Sequence, residues 1–448
     1  MRCTLTKSAG LAVLLSSLLL SSAHAVDLET AYRSAQSYDA ELLAAQAARL
    51  EAEEGIPVAR AGLLPQVSYS RQRNKANTTN YQLSTGRSSD TGDYFTGSES
   101  LTLRQPIYRK SAWAALSSAQ AQSEAADANY RKEEQNLGLR VTTTYLDVLL
   151  ARAGLALANA EAKALDALVT LAERGLKSGT GTRTDVDDAR ARRDMSRARV
   201  SEANMRLSQT SQDFRTVTDI DASRLPAIDP RSLPSTAMAL TGRAEWMARI
   251  EATSPELQSL RKQLEAADAE VERAKGGHYP SIDMVVSRQE GKSETNTTVG
   301  TGYRTDYIGV QLSVPLISGF GVMAQVRQAQ AHTERVRQVL ESTRRKLLAE
   351  AERLYLALEL GIEKVQAIEQ AILSAEQALI SAQKGVAAGT RTIVDVLDSD
   401  QRVFLAKRDQ AFSVFELANN RLKFLALADA IDDAAIKYAS AWLAAAKL

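Results

Sequence analysis

Two stretches of this chain, Ala112 to Ser178 and Val322 to Ala388, contain no proline and are rich in alanine. Proline inside a helix removes a hydrogen bond and clashes with the preceding turn, whereas alanine is the best helix former. Each stretch can therefore run as one helix of some 67 residues, about 100 Å long at 1.5 Å per residue. Such a rod cannot fold back within an ordinary globular domain, so the chain must build something elongated.

Both rods carry heptads. In the second, Leu358, Val365, Ile372, Leu379 and Val386 recur every seven residues, with Ile368, Ala375 and Ala382 three residues after their partners. In the first, Val148, Leu155, Ala162, Val169 and Leu176 recur with Ala151, Ala158, Leu165 and Ala172. Sustained heptads indicate coiled-coil packing. Alanine at the companion positions allows close approach, which suits helices set side by side in a wall. An ordinary two-helix hairpin is the plainer reading of the same pattern.

The rods belong to an internal duplication. YDAEL from Tyr38 returns as TSPEL from Thr253, and ARAGLLPQV from Ala59 returns as AKGGHYPSI from Ala274, both at an offset of 215. LRQPI from Leu103 corresponds to LSVPL from Leu312. LAERGLKSGTGTRTDV, ending at Val186, corresponds to ISAQKGVAAGTRTIVDV, ending at Val396, at an offset of 210. Repeats this long are one structural unit copied, not a solenoid of short units. The expected organisation is a first copy over 26–218, a Pro- and Asp-bearing linker over 219–236, a second copy over 237–428 and a mostly helical tail over 429–448.

Each copy reads as helix, two strands, long helix, turn and return helix. The opening helices are expected over Leu28 to Arg60 and Glu245 to Lys275, each stopped by Gly and then Pro. Strand patterning follows: Val67 and Tyr69 alternate with Ser68, Ser70 and Gln72, and Ile308, Val310, Leu312 and Val314 alternate with Tyr307, Gly309, Gln311 and Ser313. Such alternation suits a membrane barrel strand and equally a half-buried sheet. Asn74 to Asp93 and Gly291 to Arg304, rich in Ser, Thr, Gly and Asn, are expected to form loops at an aqueous exterior.

Arg2 and Lys7, an apolar run from Leu11 to Leu20 and the triplet Ala23-His24-Ala25 read as a secretory signal over 1–25, cut after Ala25. The run is too short to anchor comfortably in a bilayer, where about 20 residues are needed. The single cysteine, Cys3, would leave with the signal and is too far ahead of the cleavage site to be a lipoprotein cysteine. No later segment reads as a transmembrane helix, which leaves a periplasmic or secreted protein or an outer-membrane β-barrel. The balance of 55 basic and 54 acidic residues points to no nucleic-acid partner.

No catalytic constellation or cofactor motif emerges. His278 and His332 have no carboxylate or cysteine partner at metal-ligand spacing and read as surface or packing residues, so no metal is expected. The basic cluster from Arg190 to Arg199 is interleaved with Ala and Asp, as on a solvated helix face.

The far turns are more specific. Gly389 to Asp398, GTRTIVDVLD, is similar to the second helical-hairpin turn of the TolC-type outer-membrane efflux protein family, and Gly179 to Val186, GTGTRTDV, resembles the first more loosely. The two-copy layout resembles that family over essentially all of the mature chain. Glycine then threonine suits a helix C-cap followed by an N-cap, which would set Asp185, Asp395 and Asp398 in first turns, where the helix dipole favours carboxylates.

The resemblance implies a fold of mixed α and membrane β: a coiled-coil helical barrel on a transmembrane β-barrel to which each of three protomers gives four strands, with the tail at the equator of the periplasmic part. Closing the sheet between chains would satisfy edges that a membrane leaves unpaired. The resemblance also implies a non-catalytic exit duct in the outer membrane for type I secretion, multidrug efflux or both. Its partners would be a homotrimer, a periplasmic adaptor docking around Gly179, Thr180, Gly389 and Thr390, an inner-membrane transporter driven by ATP or protons, and outer-membrane lipid. Arg391 would bond across to Thr184 and Asp185 of the neighbouring hairpin and hold a periplasmic gate shut. Asp395 and Asp398 would form carboxylate rings able to hold blocking cations. One departure stands out: the family pattern has a tyrosine where this chain has Val386, which removes one latch. The competing reading is a soluble periplasmic coiled-coil adaptor or scaffold, although adaptors usually carry one hairpin.

Overall fold

The computed structural model describes residues 26–293 and 301–445. The expected signal over 1–25 lies outside the described residues.

The first copy opens with α1 (Leu28–Tyr38) and α2 (Ala40–Ala61), where one helix was expected. Asp39 makes the break: its backbone is extended, and its carboxylate caps α2 through the Leu42 N–H at 2.8 Å and accepts from Arg140 at 2.7 Å. The second copy breaks at the matching residue, Ser254, between α5 (Arg243–Thr253) and α6 (Pro255–Lys275), with proline at the first helical position.

Between these helices and the rods stands one antiparallel sheet in the order β1 (Gln66–Gln82), β2 (Arg87–Tyr108), β3 (Ser281–Ser293), β4 (Thr301–Ser313). Strand structure runs through most of Asn74 to Asp93, expected as a loop; only Leu83 to Gly86 turns. Likewise Gly291 to Ser293 and Thr301 to Arg304 are strand, and 294–300 lie outside the described residues. Ladder hydrogen bonds satisfy the backbone of these polar segments despite their turn-like composition.

The register decides what the sheet presents. Val67, Leu103, Val286 and Ile308 stand side by side across all four strands. On the same face lie Tyr69 with Leu101, Met284 with Val310, and Ile282 with Leu312. The other face is polar: Ser68, Thr102, Ser287 and Tyr307 share one row, and Ser70, Ser100, Gln289 and Thr305 the next. Ser287 is buried while Ile308 is 74% exposed, so the sheet curls around its polar face and turns its apolar face outward. This inverts the soluble-protein pattern, in which apolar surface is hidden.

The rods are α3 (Lys110–Ser178) and α7 (Gly321–Ala387), of 69 and 67 residues. Their return helices are α4 (Arg183–Thr218) and α8 (Ile393–Leu427), and α9 (Asp433–Ala444) follows. Near the sheet α3 packs on α2 and α6, farther away on α4 and α8, while α7 packs on α6 and α8. In α7 the deeply buried seam is Leu358, Val365 and Ile372; in α3 it is the companion row Ala151, Ala158, Leu165 and Ala172.

At mid-length the layers thicken into the main core, where Tyr145 and Phe214 meet edge-on at 5.9 Å and α1, α8 and α9 contribute Leu28, Phe424 and Trp442. Gln135, buried on α3, clamps the chain reversal before α9 by accepting from the Ile431 N–H at 2.8 Å. By length and composition alone α3 contains an 18-residue window that could cross a membrane, with mean hydropathy 1.3, but its apolar part is interrupted by Asp147 and Arg152. Val141, Tyr145, Val148 and Leu149 are apolar because they fill this core.

Candidate entrance at the hairpin tips

At the end farthest from the sheet both rods reverse through the same turn. Gly179, at φ 75°, and Gly389, at φ 71°, take the left-handed conformation that a Cβ makes costly. The Gly175 carbonyl accepts from the N–H groups of Thr180 and Gly181, both at 3.0 Å. The Gly385 carbonyl accepts from those of Thr390 at 2.9 Å and Arg391 at 3.2 Å. Two N–H groups returning to one helix carbonyl end each rod with its last acceptors satisfied.

The return helices then start on capping boxes. Asp185 accepts from the Thr182 N–H at 2.8 Å, while the Thr182 hydroxyl accepts from the Asp185 N–H at 3.1 Å. Asp395 and Thr392 repeat this at 2.8 and 3.3 Å. The N-caps are thus Thr182 and Thr392, not the threonines directly after the glycines, and the T-x-x-D spacing was the sequence signal that marked them. Thr180 and Thr390 instead turn their hydroxyls toward the Gly175 and Gly385 carbonyls, at 3.4 and 3.1 Å.

Where the first turn has Gly181 the second has Arg391. A Cβ on Gly181 would lie 3.2 Å from the Gly175 carbonyl carbon, and the Arg391 side chain runs across Gly385 where that residue's Cβ would be. Within the protomer Arg391 makes no ion pair among the described residues, and Thr184 is exposed on the first turn of α4. The Thr392 N–H and hydroxyl, helped by the Arg391 charge, hold the Asp395 carboxyl below the ordinary aspartate range. Hydrogen bonds to the charged form have that effect.

Asp398 lies one turn deeper into α8 than expected, and its neighbourhood differs accordingly. It accepts from Arg192 of α4 at 2.6 Å, and Arg192 also donates to Gln401 at 3.2 Å. Behind it, Glu161 is buried on α3 and holds Arg199 of α4 at 2.6 and 3.1 Å. Burial, and then the Glu161 charge, push the nearby Asp400 carboxyl upward. These partners went unread in the sequence because they join helices far apart along the chain.

Between the turns a small apolar cluster ties both hairpins together: Leu165, Val169 and Ala172 of α3, Val186 and Ala189 of α4, and Ile393 and Leu397 of α8. Val386 packs against it from α7. Burying such side chains is worth about 1.5–3 kcal/mol each, so the tip is held by few contacts compared with the mid-length core.

Among the described residues no group of His, Cys, Asp and Glu could hold a metal ion. His278 and His332 are exposed, and His332 contacts Arg335 at 3.0 Å.

The sequence profile described as "Outer membrane efflux protein" matches residues 31–218 and 246–419, one stretch in each copy. The proteases secretion protein PrtF of Dickeya chrysanthemi is 29% identical over 87% of this chain and 85% of its own length. The outer membrane protein TolC of Vibrio cholerae is 28% identical over 87% of this chain and 88% of its own. Among solved structures, the outer membrane protein VceC of Vibrio cholerae superposes with a TM-score of 0.76 at 18% identity, covering 90% of this chain and 96% of that one.

Proposed function

This chain belongs to the outer membrane efflux protein family, and from that premise we propose that three copies assemble into one exit duct. The single observation that carries this reading is the outward apolar belt, continuous across four strands whose outer members, β1 and β4, leave their far edges unpaired. An open sheet with an apolar outer face is unstable in water and has unsatisfied edges in lipid; closure between protomers removes both problems. An exposed apolar line on α7, comprising Leu356, Leu360, Leu373 and Ile380, supports closure of the helical wall in the same way. Cyclic symmetry supplies the partner surface.

The duct would lead from the periplasm through the outer membrane and take cargo from an inner-membrane transporter through a periplasmic adaptor docked around Gly179, Thr180, Gly389 and Thr390. Protease secretion, as in the name of PrtF, and efflux, as in the family description, are the two cargo classes. The gate would sit at the tips, with Arg391 reaching Thr184 and Asp185 of the next protomer; that the side chain makes no ion pair among the described residues of its own protomer supports this. Val386, packed in the tip cluster, would replace a polar latch by apolar contact. Cation block would fall mainly to Asp395, because Arg192 already neutralises Asp398.

Fractionation and bilayer recording test the reading together. A detergent-requiring trimer that conducts in planar bilayers is expected. A monomer released by osmotic shock would overturn it in favour of a soluble scaffold.

A further inference from the structure

The polar face around which the sheet curls is almost free of charge. Its row Gln66–Arg104–Val285–Gly309 stands at the helix end of β1. The next three rows, from Ser68 to Gln72 along β1, hold only Ser, Thr, Gln, Tyr and Gly. Arg104 is thus the one charge in four successive rows of this face. At the same heights the outward face carries Arg71, Glu99, Arg288 and Asp306.

The surroundings of Arg104 do not neutralise it. Asp283, one row nearer the helices on the same face, is 8% exposed, and both its oxygens accept from Arg109, at 3.0 and 2.9 Å. Arg104 reaches that carboxylate only at 3.8 Å and keeps 49% of its side chain exposed. One acid therefore faces two arginines, and the surplus charge lies with the exposed one. Beside Arg109, Glu272 of α6 is already held by Lys110 at 2.9 Å and Lys275 at 2.7 Å. In its own row Arg104 has Gln66 on one side and Val285 and Gly309 on the other, none of which carries a charge.

Closure of three copies around the polar face, the reading on which this step rests, makes that surplus a ring. Twelve strands about 4.8 Å apart and tilted about 40° close on a backbone radius of about 12 Å. Arginine side chains projecting inward from such a wall bring their guanidiniums within a Debye length of the axis, about 8 Å at physiological salt. The ring then acts across the whole cross-section, and the neutral rows beyond it supply nothing to offset its field. A low-dielectric surround concentrates that field along the lumen.

We infer that Arg104 is the charge-selecting residue of the barrel: its threefold ring at the neck favours anionic solutes and binds multivalent anions from the lumen. Guanidinium is always charged and presents several donors to phosphate or carboxylate oxygens, so a ring of three suits an anion bearing several such groups. This sign is opposite to that of the carboxylates at the hairpin tips, so the two ends of the duct select differently.

The test records the purified full-length trimer in planar bilayers under a potassium chloride gradient. Arg104→Ser is expected to lower the chloride-to-potassium permeability ratio about threefold or more near 0.1 M salt, and much less near 1 M, where the Debye length falls to about 3 Å. Arg104→Lys should keep the parent ratio. Tripolyphosphate added at the extracellular mouth should block the parent, and Arg104→Ser should weaken that block at least about tenfold. Gln66→Arg in the Arg104→Ser background returns the charge to the same row on the neighbouring strand and should restore both readouts. A purely structural role for Arg104 would not be rescued from there. Gln66→Arg added to the parent doubles the ring and should raise the ratio. A conducting Arg104→Ser trimer with the parent's ratio and block overturns the inference, as does a Gln66→Arg variant that leaves the ratio unmoved. A parent chain that forms no conducting trimer would instead overturn the duct itself.

Discussion

The two hairpin tips are the same turn built twice, and they differ where the fold makes no demand. Both have a left-handed glycine, a glycine carbonyl receiving two N–H groups, and a Thr–Asp capping box. Those shared residues are explained by turn chemistry alone. Arg391 against Gly181, and Asp398 paired to Arg192 against the exposed Asp188, are not needed to close a turn. The comparison therefore separates residues that make the turn from residues that give it a task.

The largest effect expected from breaking this asymmetry is electrical. Arg391→Ser should raise single-channel conductance severalfold in planar bilayers, while Gly181→Ser in the first turn should leave it near the parent value. Unchanged conductance in a folded Arg391→Ser trimer would remove the latch.

The duplication sharpens the comparison in a second way. The Arg192–Asp398 pair joins α4 to α8 within a protomer; shifted by the offset between the copies, its counterpart in the proposed trimer would be Arg402 with Asp188 of the next protomer. Arg402→Cys with Asp188→Cys is expected to give an oxidised trimer ladder in denaturing gels, and neither single variant should do so. A third expectation concerns block by trivalent cations from the periplasmic side. Asp395→Ala should relieve it more than Asp398→Ala, because only the latter carboxylate has an arginine on it. Equal relief would show that the intraprotomer pair opens in the assembled channel.

Smaller effects test the part that is common to both turns. Thr182→Ala and Thr392→Ala should each cost about 1 kcal/mol of local stability, read as lost amide protection at the start of α4 and of α8. Unequal losses would break the equivalence of the two turns. The smallest expected effect is a pH dependence through Asp400. Its carboxyl is raised in the folded state by burial and by Glu161, so the folded form holds the proton more tightly than the unfolded one. Ionisation then destabilises the fold above the raised value, and stability returns as pH falls from there toward the ordinary aspartate value of about 3.9. Asp400→Asn should remove that segment of a melting-temperature profile and raise stability at neutral pH.

The sheet contrasts with the tips in how it could be read. Heptads, proline-free runs and the T-x-x-D starts are written in neighbouring residues, because helices and caps are made by contacts a few positions apart. The break at Asp39 was missed because its stabilising partner, Arg140, comes from another helix. The Asn- and Thr-rich ends of β1 and β2 read as loop because their ladder partners were not visible. The hydrophobic window of α3 likewise has its explanation elsewhere in the chain: its apolar residues pack on α1 and α4.

By itself the sequence determined the duplication, the rods and their ends, and the alternation along single strands. Only the tertiary structure decided the strand register, which turns four separate alternations into one outward belt. It likewise decided the joining of both tips through Val186, Ala189, Ile393 and Leu397, and the capture of Asp398 by Arg192. The physical reason is range. A period of two or of seven is enforced locally, whereas pairing between copies some two hundred residues apart is selected by how whole faces pack, which no short stretch of chain encodes.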